Sequence, residues 1–445
     1  DCNAYNDTTL LENLVTPLNG VYTLGGVSPD FASFSELAAV LNNAGQTGPV
    51  TVNVRDGVYE EQFIIGNISG NSLSNSLTIQ GESGDSSLVT LQYSTSSDVV
   101  DYTCHFNSIK ALTLRDMKFS RIDNNSSGEN ALLYFSSCES AVLSNCILRG
   151  YRYSSGASYS SNSRHTKIEA SSLDVLDCLF EAGGLYILNS STSVADITYR
   201  IRVIGNDNIS SVFRVNSNNN MTDVHLLIRD NIFREVWNDR PFYKDANNSN
   251  DTIIVESNKF SNEYGIYFNM YANGYQNFSV FKNNEVNITA SGREGLWARG
   301  LDSIIGNRIV GVENTYAILL QGDDTYNWSN SNDKTFIANN YIEVSGAGTT
   351  SAIHIPSGTD LGGGTVIAHN SINQLGTSTA RVLVFESYPQ DLTVKNNIFA
   401  APGGGEILYL PQALTNLDWD YNCYYTSGNV IGSYNGTNYS SVSAL

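Results

Sequence analysis

The chain has 445 residues and carries 24 Lys and Arg against 44 Asp and Glu, a formal charge of -20, which excludes nucleic acid as a partner held by charge. Only 15% of the residues are charged, against roughly 25% in ordinary soluble domains, so the exterior is largely uncharged and polar. A hydrophobic content of 41%, with 17 Phe and 26 Tyr, excludes a disordered low-complexity chain. No run approaches the roughly 18 apolar residues of a membrane span. The start, Asp1-Cys2-Asn3, has no apolar signal segment, so the expectation is a mature secreted chain, extracellular or on the cell surface.

Taken in order, residues 1–48 read as an N-terminal segment with a capping helix. Ser33-Phe-Ser-Glu36 has the form of a capping box, Phe34, Leu37, Ala38 and Leu41 follow helical spacing, and Gly45 ends the run. An amphipathic helix here would cover the exposed edge of a first coil. Val50–Val54, Leu77–Ile79 and Val89–Leu91 then read as short strands rich in β-branched residues.

From residue 114 onward one motif recurs: apolar, x, apolar, x, x, Asn, x, apolar, as in Leu226–Phe233 and Leu392–Phe399. Centred on the Asn position, it falls at Met117, Cys146, Cys178, Asn206, Asn231, Asn258, Asn284, Asn307, Asn340, Asn370, Asn397 and Asn422, at spacings of 23 to 33 residues. The residue three before each centre is always apolar, and the residue two after is hydrophobic everywhere except at Asn208. A second short strand follows each centre, as at Ile266–Phe268, Ile318–Leu320 and Ile353–Ile355. Short strands at this period predict an all-β, right-handed parallel β-helix, a solenoid of about 12–15 coils over residues 49–425. Each coil buries its inward residues only by stacking on its neighbours. Equivalent residues of stacked coils lie about 4.8 Å apart, so the Asn column is expected to form an internal ladder of amide hydrogen bonds. Residues 426–445, rich in Ser, Gly and Asn, read as a C-terminal tail or cap.

The opening segment carries a resemblance. Val21-Tyr-Thr-Leu-Gly-Gly, Pro29-Asp-Phe-Ala-Ser-Phe and the run from Asn42 to Gln62, followed by Gly66-Asn-Ile-Ser-Gly and Leu77-Thr-Ile-Gln-Gly, resemble a recurrent opening of secreted Bacteroidota surface proteins with pectin-lyase-like β-helix regions. The specific likeness covers roughly the first hundred residues. It implies export of the type IX kind; the sorting domain expected of such cargo is not visible in the sequence, so that route holds if the chain is a piece of a longer protein with flanking domains.

Three kinds of chemistry suit such a scaffold. A calcium-dependent lyase needs clustered carboxylates beside Arg or Lys, and the scarce, dispersed basic residues here argue against it. The reading therefore assigns no cofactor, with calcium the ion such a cluster would take. A polysaccharide hydrolase needs two carboxyl groups about 6.5–9.5 Å apart if inverting. Asp323, Asp324, His354 and Arg381 follow the residue order of polygalacturonase-type enzymes, with Asp360 or Glu386 as further carboxylates. Against this set, Asp323 is offset by about four positions along its strand from His354.

Binding without chemistry has the more continuous signal. If Phe242, Ile266, Leu296, Ile318 and Ile353 face inward, Tyr243, Tyr267 and Trp297 face outward on three successive rungs, with Tyr186 earlier in an equivalent place. Aromatic faces suit the C–H faces of sugar rings. The expectation is a structural or adhesive module that binds an extracellular glycan or cell-surface component and is not an enzyme; the alternative is a polysaccharide hydrolase or lyase. Cys146 and Cys178 share the ladder column, where parallel Cβ vectors disfavour a disulfide. Cys2 is in a position to tie the N-terminal segment to Cys104 or Cys138.

Overall fold

A computed structural model describes residues 16–93, 102–121, 131–150, 166–188, 197–217, 222–235, 240–246, 251–269, 278–311, 316–321, 334–346, 350–357, 364–386, 391–414 and 416–441. Its strands form three long sheets of 15, 14 and 15 strands, called A, B and C below in the order in which each coil visits them. Sheet A runs from Leu18–Leu24 to Asn416–Asp420, sheet B from Gly57–Glu60 to Cys423–Thr426, and sheet C from Phe63–Gly66 to Thr437–Tyr439. Every pairing between neighbours is parallel except the last of sheet C, where Gly432–Tyr434 and Thr437–Tyr439 are antiparallel. The chain is therefore a parallel β-solenoid, as the repeat required.

The register is the one the repeat predicts. Ile228 pairs with Val255, Val255 with Phe281 and Phe281 with Ile304, all at 0–1% exposure. In sheet B, Phe233, Phe260, Val286 and Ile309 form a second inward column. Each such side chain, moved from water into the tube, contributes roughly 1.5–3 kcal/mol. Asn208, the exception in the motif, occupies this same column between Phe180 and Phe233 and is fully buried. Its Nδ2 donates to Ile232 O at 2.9 Å, while its Oδ1 has no hydrogen-bond partner among the described residues.

The Asn column is a continuous ladder on the A-to-B corner. From Asn206 to Asn422, each Nδ2 donates to the Oδ1 of the next Asn at 2.8–3.1 Å. The same Oδ1 accepts the main-chain N–H of the preceding Asn, as from Asn258 to Asn284 at 2.9 Å. The second N–H of each amide returns to a carbonyl of the previous rung, as from Asn284 to Val255 O. Both donors and both lone pairs of the amide are thus satisfied out of water. Cys146 and Cys178 continue the column as buried free thiols, as do Cys104 and Cys138 elsewhere in the core; Cys2 lies outside the described residues. Burial pushes the Cys146 thiol well above its ordinary pKa, so it stays protonated.

The turn that carries the ladder needs a left-handed residue. The position before each centre has positive φ on every rung from Asp116 to Tyr421, mostly between 48° and 73°. Asn, Asp and Gly fill most of these positions because they tolerate that conformation. From Leu112 onward this corner is two residues long on every coil, whereas it takes seven between Leu77–Gly81 and Val89–Gln92, so among the ladder coils the variation in connection length falls at the two corners that flank sheet C.

Helix α1 (Phe34–Asn43) begins at Ser33, whose side chain accepts the Glu36 N–H, while Glu36 Oε2 accepts the Ala32 N–H at 2.7 Å. Phe34, Leu37, Ala38 and Leu41 are its buried face, and it packs on Phe63–Gly66 and Leu18–Leu24, the first strands of sheets C and A. Gly45 closes it at φ +73°, where a Cβ would meet Ser69 O at 2.3 Å.

Candidate functional site

The outward residues of sheet C form one unbroken column. By Cα register it runs His105, Tyr134, Lys167, Tyr186, Arg214, Tyr243, Tyr267, Trp297, Leu319, His354, Val384 and Tyr409. Parallel pairing without a register shift creates it, because residues alternate faces along each strand and the same parity is outward on every rung. Phe242, Ile266, Leu296, Ile318 and Ile353, one position earlier, are all buried. Sequence spacing therefore placed Tyr186, Tyr243, Tyr267 and Trp297 in one line, with Arg214 in register between the first two.

The four rings are half-buried, and Tyr243, Tyr267 and Trp297 touch in succession. Tyr243 and Tyr267 stack with centroids 4.6 Å apart and planes 14° apart. Their faces point along the solenoid axis, toward each other, so the flat platform expected from the sequence is replaced at these two rungs by ring edges. Trp297 turns by 88° against Tyr267 at 5.1 Å and gives its Nε1–H to Gln321 Oε1 at 2.8 Å. The Arg240 guanidinium lies 5.4 Å from the Tyr267 centroid and 5.1 Å from that of Trp297, and is held by Glu294 at 3.0 Å. Arg214 sits 5.8 Å from the Tyr243 centroid. Cation–π contacts of this kind add about 0.5–1 kcal/mol at exposed sites. The line is thus a preordered strip of aromatic edges and guanidinium groups, bounded by the two corners that vary in length, which is where binding functions tend to sit.

Sequence reasoning found the rings but not the arginines. Arg214 was legible as a sheet-C residue of the same parity; Arg240 precedes its strand, and nothing in the repeat marks it.

The hydrolase set is only partly gathered. Asp323, Asp324 and Asp360 lie outside the described residues. His354 is in the column as the partner of Leu319, with its ring 4.6 Å from Tyr316, its Nδ1 3.3 Å from Ser351 Oγ and its Nε2 4.0 Å from Glu386 Oε2. Burial pushes its pKa below 6.5, more strongly than Glu386 raises it, so the imidazole is neutral at pH 7. A serine, an imidazole and a carboxylate are in line, yet Ser351 is 0% exposed and offers no access to an incoming substrate. Arg381 is not beside His354 in register but three positions away, opposite Ser351. It is bound to Glu406 at 3.1 Å and stacked 3.7 Å from the Tyr409 centroid. Among the described residues no group of three or more His, Cys, Asp or Glu gathers where a metal ion could be held.

One further charged group is conspicuous. Lys244 faces inward on sheet C between Val215 and Phe268, and its Nζ meets Asp251 Oδ2 at 2.7 Å with both side chains at 0% exposure. Asp251 Oδ1 also accepts the Val224 N–H at 3.0 Å. The pair is sealed from solvent and joins the C and A sides of one coil.

No protein-family model matches the chain, and no curated protein is significantly similar to it. No helix of the described residues is long and apolar enough to cross a membrane.

Proposed function

We propose that the chain is a secreted or cell-surface structural and adhesive module that binds glycan along the outward face of sheet C and catalyses no reaction. The observation that carries this reading is the register-matched strip of Tyr186, Arg214, Tyr243, Tyr267 and Trp297 on consecutive strands. Tyrosine hydroxyls and guanidinium groups supply hydrogen bonds to sugar hydroxyls, and the Trp297 indole supplies apolar contact. Because Tyr243, Tyr267 and Trp297 are ordered by one another, little side-chain entropy is lost there when a ligand binds. The opening segment's resemblance to secreted Bacteroidota surface proteins supports the extracellular setting.

A glycan array read together with reducing-sugar and unsaturated-product assays tests the proposal. Saturable binding of at least one glycan, weakened tenfold or more by Trp297→Ala and without turnover, is the expected result. Product release from any polysaccharide would move the chain to the hydrolase or lyase reading.

A further inference from the structure

The two ends of the solenoid are finished differently. At the start, helix α1 packs on the first strands. At the other end, sheet C closes with an antiparallel pair, whereas Asn416–Asp420 and Cys423–Thr426 are the last strands of sheets A and B and have no neighbour on their far side among the described residues. Their inward side chains are correspondingly uncovered. Val394 and Phe399, one rung earlier, are 0% exposed, while their partners Trp419 and Tyr424 remain partly exposed. Beside them opens a cavity of about 290 Å³ lined by Leu408, Leu417, Trp419, Asn422, Tyr424 and Tyr434.

The hydrogen-bond pattern is also left incomplete here. Every earlier Asn of the ladder gives its main-chain N–H to the next Oδ1, up to Asn397 onto Asn422 at 3.0 Å. The Asn422 N–H meets no acceptor among the described residues. Outward on the same terminal strand stand Asp418 and Asp420, both exposed, with Asp391 one rung back; Lys395 Nζ, 2.6 Å from Asp418 Oδ2, is the cation among them.

We propose that this end binds an extended, basic peptide strand of another protein, which pairs with Asn416–Asp420 by strand addition. Alternation along a strand decides the chemistry of such a partner. Its inward side chains would lie over Leu417 and Trp419 and must be apolar, whereas its outward ones would lie beside Asp418 and Asp420 and are favoured as Lys or Arg. A second copy of this chain fits worse. Its equivalent end repeats the same aspartates, and its opposite edge, Leu18–Leu24, contains no Lys or Arg.

The test uses the whole chain and a fluorescein-labelled seven-residue peptide of alternating Lys and Val, titrated by anisotropy. Saturable binding is expected, with at least tenfold weaker binding of the Glu/Val counterpart and of the same Lys/Val peptide N-methylated on alternate amides. Asp418→Asn with Asp420→Asn is expected to weaken binding at least fivefold, and Asp56→Asn with Glu60→Gln, at the other end, to leave it within twofold. Equal binding of the N-methylated peptide would overturn strand addition in favour of charge alone. Absence of binding, or a chain dimer in sedimentation that the peptide does not dissociate, would also overturn the proposal, the dimer in favour of a self-interface.

Discussion

Asn284→Ala removes one link from the middle of the ladder, and the cost can be worked from its partners. The main-chain N–H and Nδ2 of Asn258 both lose Asn284 Oδ1 as an acceptor, at a position 2% exposed. Val255 O loses one donor, and Asn307 Oδ1 keeps only the main-chain N–H of residue 284. Asn258 Nδ2 keeps Ile228 O and Glu256 O as acceptors at 3.0 and 2.9 Å, so only the main-chain N–H is orphaned, and an orphaned buried donor costs about 1–3 kcal/mol. Urea unfolding followed by far-UV circular dichroism measures the loss, and amide exchange of the neighbouring rungs locates it, because a solenoid couples mainly nearest neighbours. Asn373→Ala is the control. That side chain faces outward and touches Glu343 at 3.3 Å, and its loss should stay within about 0.5 kcal/mol. A cost below about 1 kcal/mol for Asn284→Ala, or one equal to the control, would refute the ladder as a source of stability.

Three further outcomes follow from the same geometry. Lys244→Met leaves Asp251 buried without its cation and should cost about 3–5 kcal/mol, with much of that recovered in the double variant with Asp251→Asn; additive costs in a double-mutant cycle would contradict a coupled pair. Asn208→Leu removes a buried acceptor that has no partner among the described residues and extends an apolar column, so thermal unfolding should shift upward by the equivalent of about 1 kcal/mol; a lower melting temperature would count against it. Burial lowers the pKa of both His105 and His354, so below about pH 6.5 the unfolded chain binds protons that the folded chain resists. Their penalty is absent above that pH and grows as pH falls toward the folded values. His105→Gln with His354→Gln should flatten the stability profile between pH 6.5 and 5, and an unchanged slope would exclude both groups.

The parts of this fold that repeat were the parts legible in the sequence. Two inward columns and the Asn ladder follow from identity at a fixed offset, since a two-residue corner holds sheets A and B in phase on every rung from Leu112 onward. The left-handed residue ahead of each ladder position was equally present as Asp230, Asn283, Gly306, Asn339 and Asn396, but Ser257, His369 and Tyr421 break the pattern of residue types while keeping the conformation. Stacking forces those three residues into the turn regardless of propensity. The ring geometry was not legible, because Tyr243 and Tyr267 facing outward fixes their line and not their rotation about it. Nor was the Lys244–Asp251 pair, in which a lysine takes an inward position that hydrophobic patterning assigns to an apolar residue.

The stacking of coils underlies every site described above, and a spin-label ruler tests it most directly. Thr113, Val280, Phe336 and Thr393 belong to one outward column of sheet A, linked rung by rung in Cα register. With one label at Thr113 and the second at Val280, Phe336 or Thr393, six, eight and ten rungs on, pulsed dipolar spectroscopy should give distances near about 29, 38 and 48 Å at about 4.8 Å per rung. Distances that do not rise in that proportion would contradict a continuous solenoid and the surfaces built on it.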